Sequence, residues 1–404
     1  MISYDEAIAT VLTNVQALTP VELPLIKARG LVLASPAIAR WDMPSWDNSA
    51  MDGFAFAALS IESRTTLKIA GQSFAGHPFS GHLKSGEAVR ITTGAPIPDG
   101  ADSVVPVEET SEKDNSVSLN RPVMKGQHVR YRGEEFHKNE ELLTSGTQLY
   151  AGGISLLSSA GIDQVNVIPR PRVAIFSTGD ELVELGQKLG SGQIVNSNLQ
   201  YLIARLEECG CIPVPLGVGE DRCDDLNRLF DQAQEADLLL TTGGVSVGEK
   251  DLVQQTLLQR GLEKKFWKVA IKPGKPVLFG LLEGKPCFGL PGNPAATAAT
   301  FELFVRPALQ QLVGNSNLLA PRLKVKLAES VRAGGKRQNF LWGELRITDG
   351  CLEILPLQRQ GSGQNRSMQK AQALLPVPID SPSLNAGDDV EVILLRLPQG
   401  EKTF

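Results

Sequence analysis

Three turns in the middle of the chain carry residues suited to chemistry on negatively charged substrates. In Ser177-Thr178-Gly179-Asp180-Glu181, two hydroxyls, a flexible glycine and two carboxylates follow directly on an apolar run, VAIF. That is the position at which open α/β sheets bind ligands. The same carboxylates could cap a following helix, and the turn alone leaves both readings open. Thr241-Thr242-Gly243-Gly244-Val245-Ser246-Val247-Gly248 is followed at once by Glu249 and Asp251. Its paired glycines let backbone N–H groups approach an anion closely, although glycines also simply turn a chain. Lys268, Lys272 and Lys275 lie in KVAIKPGKP, where the Pro-Gly step brings Lys272 and Lys275 to one rim. Ammonium groups there would act as point charges for a tetrahedral oxyanion. A solvated basic loop is the alternative, and the apolar Val269, Ala270 and Ile271 beside it speak for a buried strand instead.

A fourth motif, Gly292-Asn293-Pro294, offers an N-cap asparagine and a proline at the first helical position, with residues 295–304 continuing as a helix. Helix N-termini bind phosphate through free N–H groups, but capping alone would explain both residues. Asp180, Glu181 and Asp251 are the carboxylates that stand in or just after these turns. Two turns earlier in the chain, around Asp52 and Thr93, and the loops holding Arg337 and Ser367, have no distinguishing chemistry of their own.

Several chemistries are disfavoured. The chain has no G-x-x-x-x-G-K-[ST], no strand-then-helix G-x-G-x-x-G and no G-x-S-x-G elbow, which argues against P-loop, Rossmann and triad-hydrolase readings. His77, His82, His128 and His137 lack ligand spacing. The cysteines, Cys209, Cys211, Cys223, Cys287 and Cys351, are odd in number and form no C-x-x-C pair, so neither a disulfide framework nor a zinc site is expected. A net charge of -5 argues against nonspecific nucleic-acid binding. The acidic start MISYDEAIATVL is no secretion signal, and no apolar stretch is long enough to span a membrane, so a cytoplasmic, thiol-reduced protein is expected.

The elements that must position these turns can be read from periodicity. At 404 residues, several domains of about 100–200 residues each are expected. Ser3 and Glu6 stand at capping-box spacing before a helical face of Ile8, Val11, Leu12 and Val15. Short alternating runs between Gly, Pro and Asp turns predict a strand-rich module over 46–141. Two prolines, Pro169 and Pro171, mark a boundary, and beyond it strands and helices alternate. Leu199, Leu202, Ile203 and Leu206 follow Asn198 on a helical period that stops at Gly210, and Leu226, Leu229, Phe230 and Ala233 repeat it. This βαβ order predicts a parallel-sheet α/β domain, while Leu323, Val325, Leu327 and the runs FLWGELRI and DDVEVILLRL predict a small β domain at the end.

The ordered motifs NSAMDGFA, RITTGAPIPDGADSVVPVEE, FSTGDEL, TTGGVSVGEKD, KPGKPVLFG and GLPGNP resemble those of the molybdopterin molybdenumtransferase family, which includes bacterial MoeA and the E domain of gephyrin. The likeness covers almost the whole chain. It implies a multidomain α/β plus β protein: a discontinuous N-terminal helical and dimerisation domain (1–45 with 142–171), a strand-rich insert (46–141), an α/β molybdopterin-binding domain (172–316) and a β-barrel-like C-terminal domain (317–404). It also implies insertion of molybdate into adenylylated molybdopterin with release of AMP and magnesium present. The cleft of each subunit of a homodimer would be completed by the partner's insert. The implied catalytic residues are Asp52, Glu181, Asp251, Lys272 and Lys275, with Glu181 and Asp251 on the metal. Thr93, Asp180, Asp221, Gly243, Gly244, Ser246, Lys268, Pro291, Asn293, Pro294, Arg337 and Ser367 would bind the substrates. Glu135 stands where the family often has aspartate, and Ala296 where a serine is frequent. Implied partners are molybdopterin adenylyltransferase and other cofactor-pathway proteins, with no nucleic acid and no membrane. Two other functions remain in view: the adenylyltransferase of the preceding step, which shares the α/β motifs but not the insert and terminal β domain, and a non-catalytic, gephyrin-like scaffold.

Overall fold

The computed structural model describes residues 1–58, 65–245, 252–348 and 350–397. The capping box forms as the spacing requires: Ser3 Oγ accepts from the Glu6 N–H, and Glu6 accepts from the Ser3 N–H. The helix it opens, Tyr4–Asn14, buries Tyr4, Ala7, Ile8 and Val11. Those side chains join a core with Phe304, Leu309, Phe340 and Leu374, so this helix packs on the α/β and C-terminal parts of the chain. Residues further along, including Leu25, Leu33, Leu149, Leu157 and Val167, form a separate core. Short strands surround the helix Ala151–Ser159 there, with Val21–Pro24, Gln164–Ile168 and Val32–Leu33 pairing as one sheet.

The strand-rich insert is a six-stranded sheet in the order Ser103–Pro106, Gly53–Phe56, Glu87–Ile91, Thr66–Ser73, Ser116–Leu119, Thr110–Lys113. Phe54, Phe56, Leu67, Val89 and Val105 fill its core.

The α/β part has the sheet order Ile212–Gly219, Arg172–Thr178, Leu238–Thr242, Lys285–Leu290, Leu278–Leu282, Glu263–Trp267. The first four strands are parallel, as the continuous apolar runs predict, and they are covered on both faces: Ile175 and Leu240 enter one core, Phe176 and Leu239 the other. Leu278–Leu282 runs antiparallel to both its neighbours, because the Glu283-Gly284 turn folds it straight back onto Lys285–Leu290, and the edge strand Glu263–Trp267 returns to the direction of the first four. Helices Ser197–Glu208 and Cys223–Gln232 match the predicted periods. The terminal region closes a five-stranded barrel, since Gln338–Thr348 pairs with both Cys351–Pro356 and Ala373–Val377. The short strand Ile271–Lys272, from the lysine-rich turn, adds in parallel to Gln338–Asn339 at the start of that barrel strand. This pairing fixes the lysine turn beside Arg337.

Candidate active site

Two adjoining cavities lie at the carboxyl ends of the parallel strands. The first, about 540 Å³, is lined by Thr178, Gly179, Glu181, Asn196, Asn198, Asp221, Thr242, Gly243, Gly244 and the Pro291-Gly292-Asn293-Pro294 turn. The second, about 620 Å³, is lined by Lys272, Lys275, Arg337 and the loop Gln360-Gly361-Ser362. Pro276, Pro291 and Asn293 line both. One compartment is therefore rimmed by carboxylates and loop amides, its neighbour by cations.

Each wall has a local cause. Gly179 has φ +147, and a Cβ there would lie 2.7 Å from Glu181 Oε2, so only glycine lets the Glu181 carboxylate fold back over its own turn. Gly243 has φ +91, and a Cβ would meet the Thr178 carbonyl oxygen at 2.4 Å, which is how closely the second turn approaches the first. The Gly243 N–H donates to the Leu290 carbonyl at 3.1 Å, which ties this turn to the strand feeding the third. Asp180 is exposed and lines neither cavity, but its Oδ1 accepts from the Asp221 N–H at 3.3 Å and so joins two loops of the rim. Lys272 and Lys275 are exposed and form no ion pair among the described residues. The Lys275 carbonyl accepts from the Val269 and Val277 N–H groups, and Arg337 Nη1 donates to the Ile271 carbonyl at 3.2 Å.

Other candidate residues are placed elsewhere. Asp52 and Thr93 lie on the insert and line neither cavity. They are joined to each other, with Asp52 Oδ1 accepting from the Thr93 N–H at 2.6 Å and its hydroxyl at 2.8 Å. These bonds hold the Asp52 carboxyl below the usual aspartate range. Lys268 also lies outside both cavities, because its ammonium sits over the Trp267 ring, 3.6 Å from the centroid. Ser367 is not brought to this site: it is buried in the helix Arg366–Lys370, donates to the Arg359 carbonyl, and lines a separate cavity with Glu344 and Arg346. Ser362, five residues earlier, is the serine beside Asn293. Ser246 and Asp251, with Val247, Gly248 and Glu249, lie outside the described residues.

Asn293 occupies the cap position of Pro294–Thr300, but its side chain makes no cap bond and instead donates to Ser362 Oγ at 3.3 Å. The Ala295 N–H, within reach of a capping side chain, goes to the Ser362 carbonyl at 2.8 Å. Asn196, not Asn198, caps Ser197–Glu208, accepting from the Leu199 N–H. Asn198 is thereby freed to line the first cavity. Nothing in its spacing separated it from a cap; only the contact between distant loops does.

Among the described residues no three His, Cys, Asp or Glu side chains cluster closely enough to hold a metal by themselves. Glu181 and Asp221 nevertheless line one cavity whose other polar groups are hydroxyls, amides and main chain. That donor set fits magnesium, which is commonly held by one or two carboxylates together with substrate phosphates.

Comparison with known proteins bears on the family of the chain. Three family models cover successive parts of the chain: "MoeA N-terminal region (domain I and II)" over residues 2–161, "Probable molybdopterin binding domain" over 174–311, and "MoeA C-terminal region (domain IV)" over 324–395. A molybdopterin molybdenumtransferase of Haemophilus influenzae is 36% identical over 97% of this chain and 98% of its own length. One from a Nostoc species is 36% identical over 92% of this chain and 87% of its own. The crystal structure of a molybdopterin biosynthesis MoeA protein from Pyrococcus horikoshii superposes with a TM-score of 0.84 at 30% identity, covering 98% of this chain and 100% of that one. By motif order, architecture and full-length similarity, the chain belongs to the molybdopterin molybdenumtransferase family.

Proposed function

We propose that the protein inserts molybdate into adenylylated molybdopterin and releases AMP, and that the two adjoining cavities hold the two reactants side by side. The carrying observation is their shared wall of Pro276, Pro291 and Asn293 between a carboxylate- and amide-lined compartment and a cationic one. Lys272, Lys275 and Arg337 offset the double charge of tetrahedral molybdate. The Gly243-Gly244 turn, Asn293 and Pro294 receive the pterin and its phosphates. Glu181 and Asp221 would hold magnesium with those phosphates, and Asp251 is proposed beside them on family resemblance. Magnesium bound there would supply Lewis-acid polarisation of the phosphoanhydride.

Catalysis on this reading needs no protein nucleophile. When water attacks the adenylyl phosphorus, the phosphoanhydride bond to the pterin phosphate breaks, AMP departs, and the two dithiolene thiols bind molybdate with loss of one oxygen as water. When a molybdate oxygen attacks instead, the adenylyl-molybdate formed gives up AMP as the two sulfurs take the molybdenum. The side chains contribute proximity and electrostatic stabilisation. An adenylyltransferase would consume ATP with molybdopterin alone, so the deciding assay is molybdate-dependent AMP release from the adenylylated pterin by purified protein. ATP consumption without molybdate would reverse the assignment.

The protein acts as a homodimer on this reading, because Asp52 and Thr93 are on the insert and outside the cavities of their own chain. Mixing Asp52→Ala with Lys275→Ala protomers should then regain about a quarter of wild-type activity through heterodimers with one intact cleft. Mixtures as inactive as their components would count against a shared site. The four-part division, 1–45 with 142–171, 46–141, 172–316 and 317–404, is proposed with it, the Tyr4–Asn14 helix of the first part packing on the α/β and C-terminal parts and not in its own part's core. The free cysteines suit a reducing compartment such as the cytoplasm. No helix among the described residues is long and apolar enough to cross a membrane.

A further inference from the structure

The geometry points to Asn198 as a positioning residue that sets the shape of the pterin compartment by tying its two glycine-bearing loops together, an inference that rests on the function proposed above. Asn198 stands in the first turn of Ser197–Glu208, so its backbone is fixed by that helix and by neither loop. Its Nδ2 donates to the Gly292 carbonyl at 2.7 Å and to Thr242 Oγ1 at 3.0 Å. The Thr242 hydroxyl, while accepting from Asn198, donates to the Pro291 carbonyl at 3.1 Å, and Thr297 Oγ1 donates to the same carbonyl at 2.5 Å. Two successive carbonyls are thus held by side chains from three separate elements.

In a trans peptide the N–H points opposite to the C=O. Fixing the Pro291 and Gly292 carbonyls therefore also fixes the N–H groups of Gly292 and Asn293, both of which line the first cavity. Neither N–H makes a hydrogen bond among the described residues. They are donors held in place with no partner among the described residues, in the compartment assigned to the phosphates. An amide is the side chain this clamp needs. One NH₂ serves both acceptors, whereas the isosteric carboxylate has no hydrogen to give and would set an oxygen against the Gly292 carbonyl.

The test uses the full-length protein, with calorimetric titration of AMP and steady-state kinetics varying adenylylated pterin and molybdate separately. Asn198→Asp should weaken AMP binding and raise the KM for the pterin by about tenfold or more, with Asn198→Ala showing a smaller change. The KM for molybdate, which rests on Lys272, Lys275 and Arg337, should change far less, even though Pro291 and Asn293 also border that compartment, a split that general loss of structure would not give. Thr242→Val, which removes the relay without touching the helix, should show the same split and serves if the Asn198 variants fail to fold. Folded variants with wild-type AMP affinity, or with both KM values raised equally, would overturn the inference while leaving the function standing. A wild-type protein that neither binds AMP nor turns over would remove the function and this inference together.

Discussion

Gly243→Ala tests whether the second turn positions substrate or merely closes a loop. The substitution forces a side chain onto a backbone at φ +91 and sets its Cβ 2.4 Å from the Thr178 carbonyl oxygen, against an ordinary contact of 3.4 Å or more. The left-handed conformation alone costs roughly 1–2 kcal/mol for a non-glycine residue. Relieving the clash requires the turn to move by about 1 Å, and a misplacement of that size costs on the order of 10²-fold in rate where catalysis rests on positioning. Gly284→Ala is the matched control: its φ is +79, no atom lies within 4 Å of the added Cβ, and its turn is remote from both cavities. In urea denaturation Gly284→Ala should lose the left-handed cost and Gly243→Ala at least that much, and Gly243→Ala should alone lose kcat/KM for AMP release. Should the two retain kcat/KM within about threefold of each other, the close approach of the turns has no part in transition-state stabilisation, and the positioning argument fails.

Lys275→Ala should raise the KM for molybdate about tenfold to hundredfold, the range for losing a charged hydrogen-bond donor, with pterin affinity preserved; equal losses for both substrates would refute the division of labour between cavities. Asp52 has its carboxyl held low by the Thr93 N–H and hydroxyl, so the contribution of that contact to stability is fully present above the unfolded aspartate range and is lost as pH falls through the lower folded value. Carboxyl-resolved NMR titration should therefore find Asp52 below 3.8, and Thr93→Val should bring it back towards that value. Glu302, almost wholly buried, accepts from Arg205 and Arg306. Glu302→Gln should destabilise the protein by about 1.5–3 kcal/mol, because it removes the buried charge that Arg205 and Arg306 share and leaves Arg205 only the more exposed Glu208; a denaturation midpoint equal to wild type would contradict that.

The α/β sheet was legible because burial on both faces leaves unbroken apolar runs, and VAIF and LLL are such runs. The capping box was legible because its two bonds span only three residues. What the sequence could not display were contacts between distant segments. Leu278–Leu282 has the same apolar texture as the parallel strands, and only the turn at Gly284 reverses its direction. Asn198 shows in the sequence only as the residue before a helical period, because its bonds to Thr242 and Gly292 depend on loops 44 and 94 residues away. Lys268 shows the converse: its residue type suited the chemistry, but a tryptophan ring takes its ammonium, while Ser367, singled out by family resemblance alone, gives its hydroxyl to a main-chain carbonyl. Asp52 and Thr93 had no local signal at all, and family resemblance alone singled them out.

The most direct measurement is a crystal structure of the protein soaked with AMP and molybdate together. AMP is expected in the compartment of Glu181, Asn198 and Gly243, with molybdate beside it against Lys272, Lys275 and Arg337. Molybdate bound away from the lysines, or the two ligands on separate faces of the molecule, would contradict the central claim that adjoining cavities bring these two anions together.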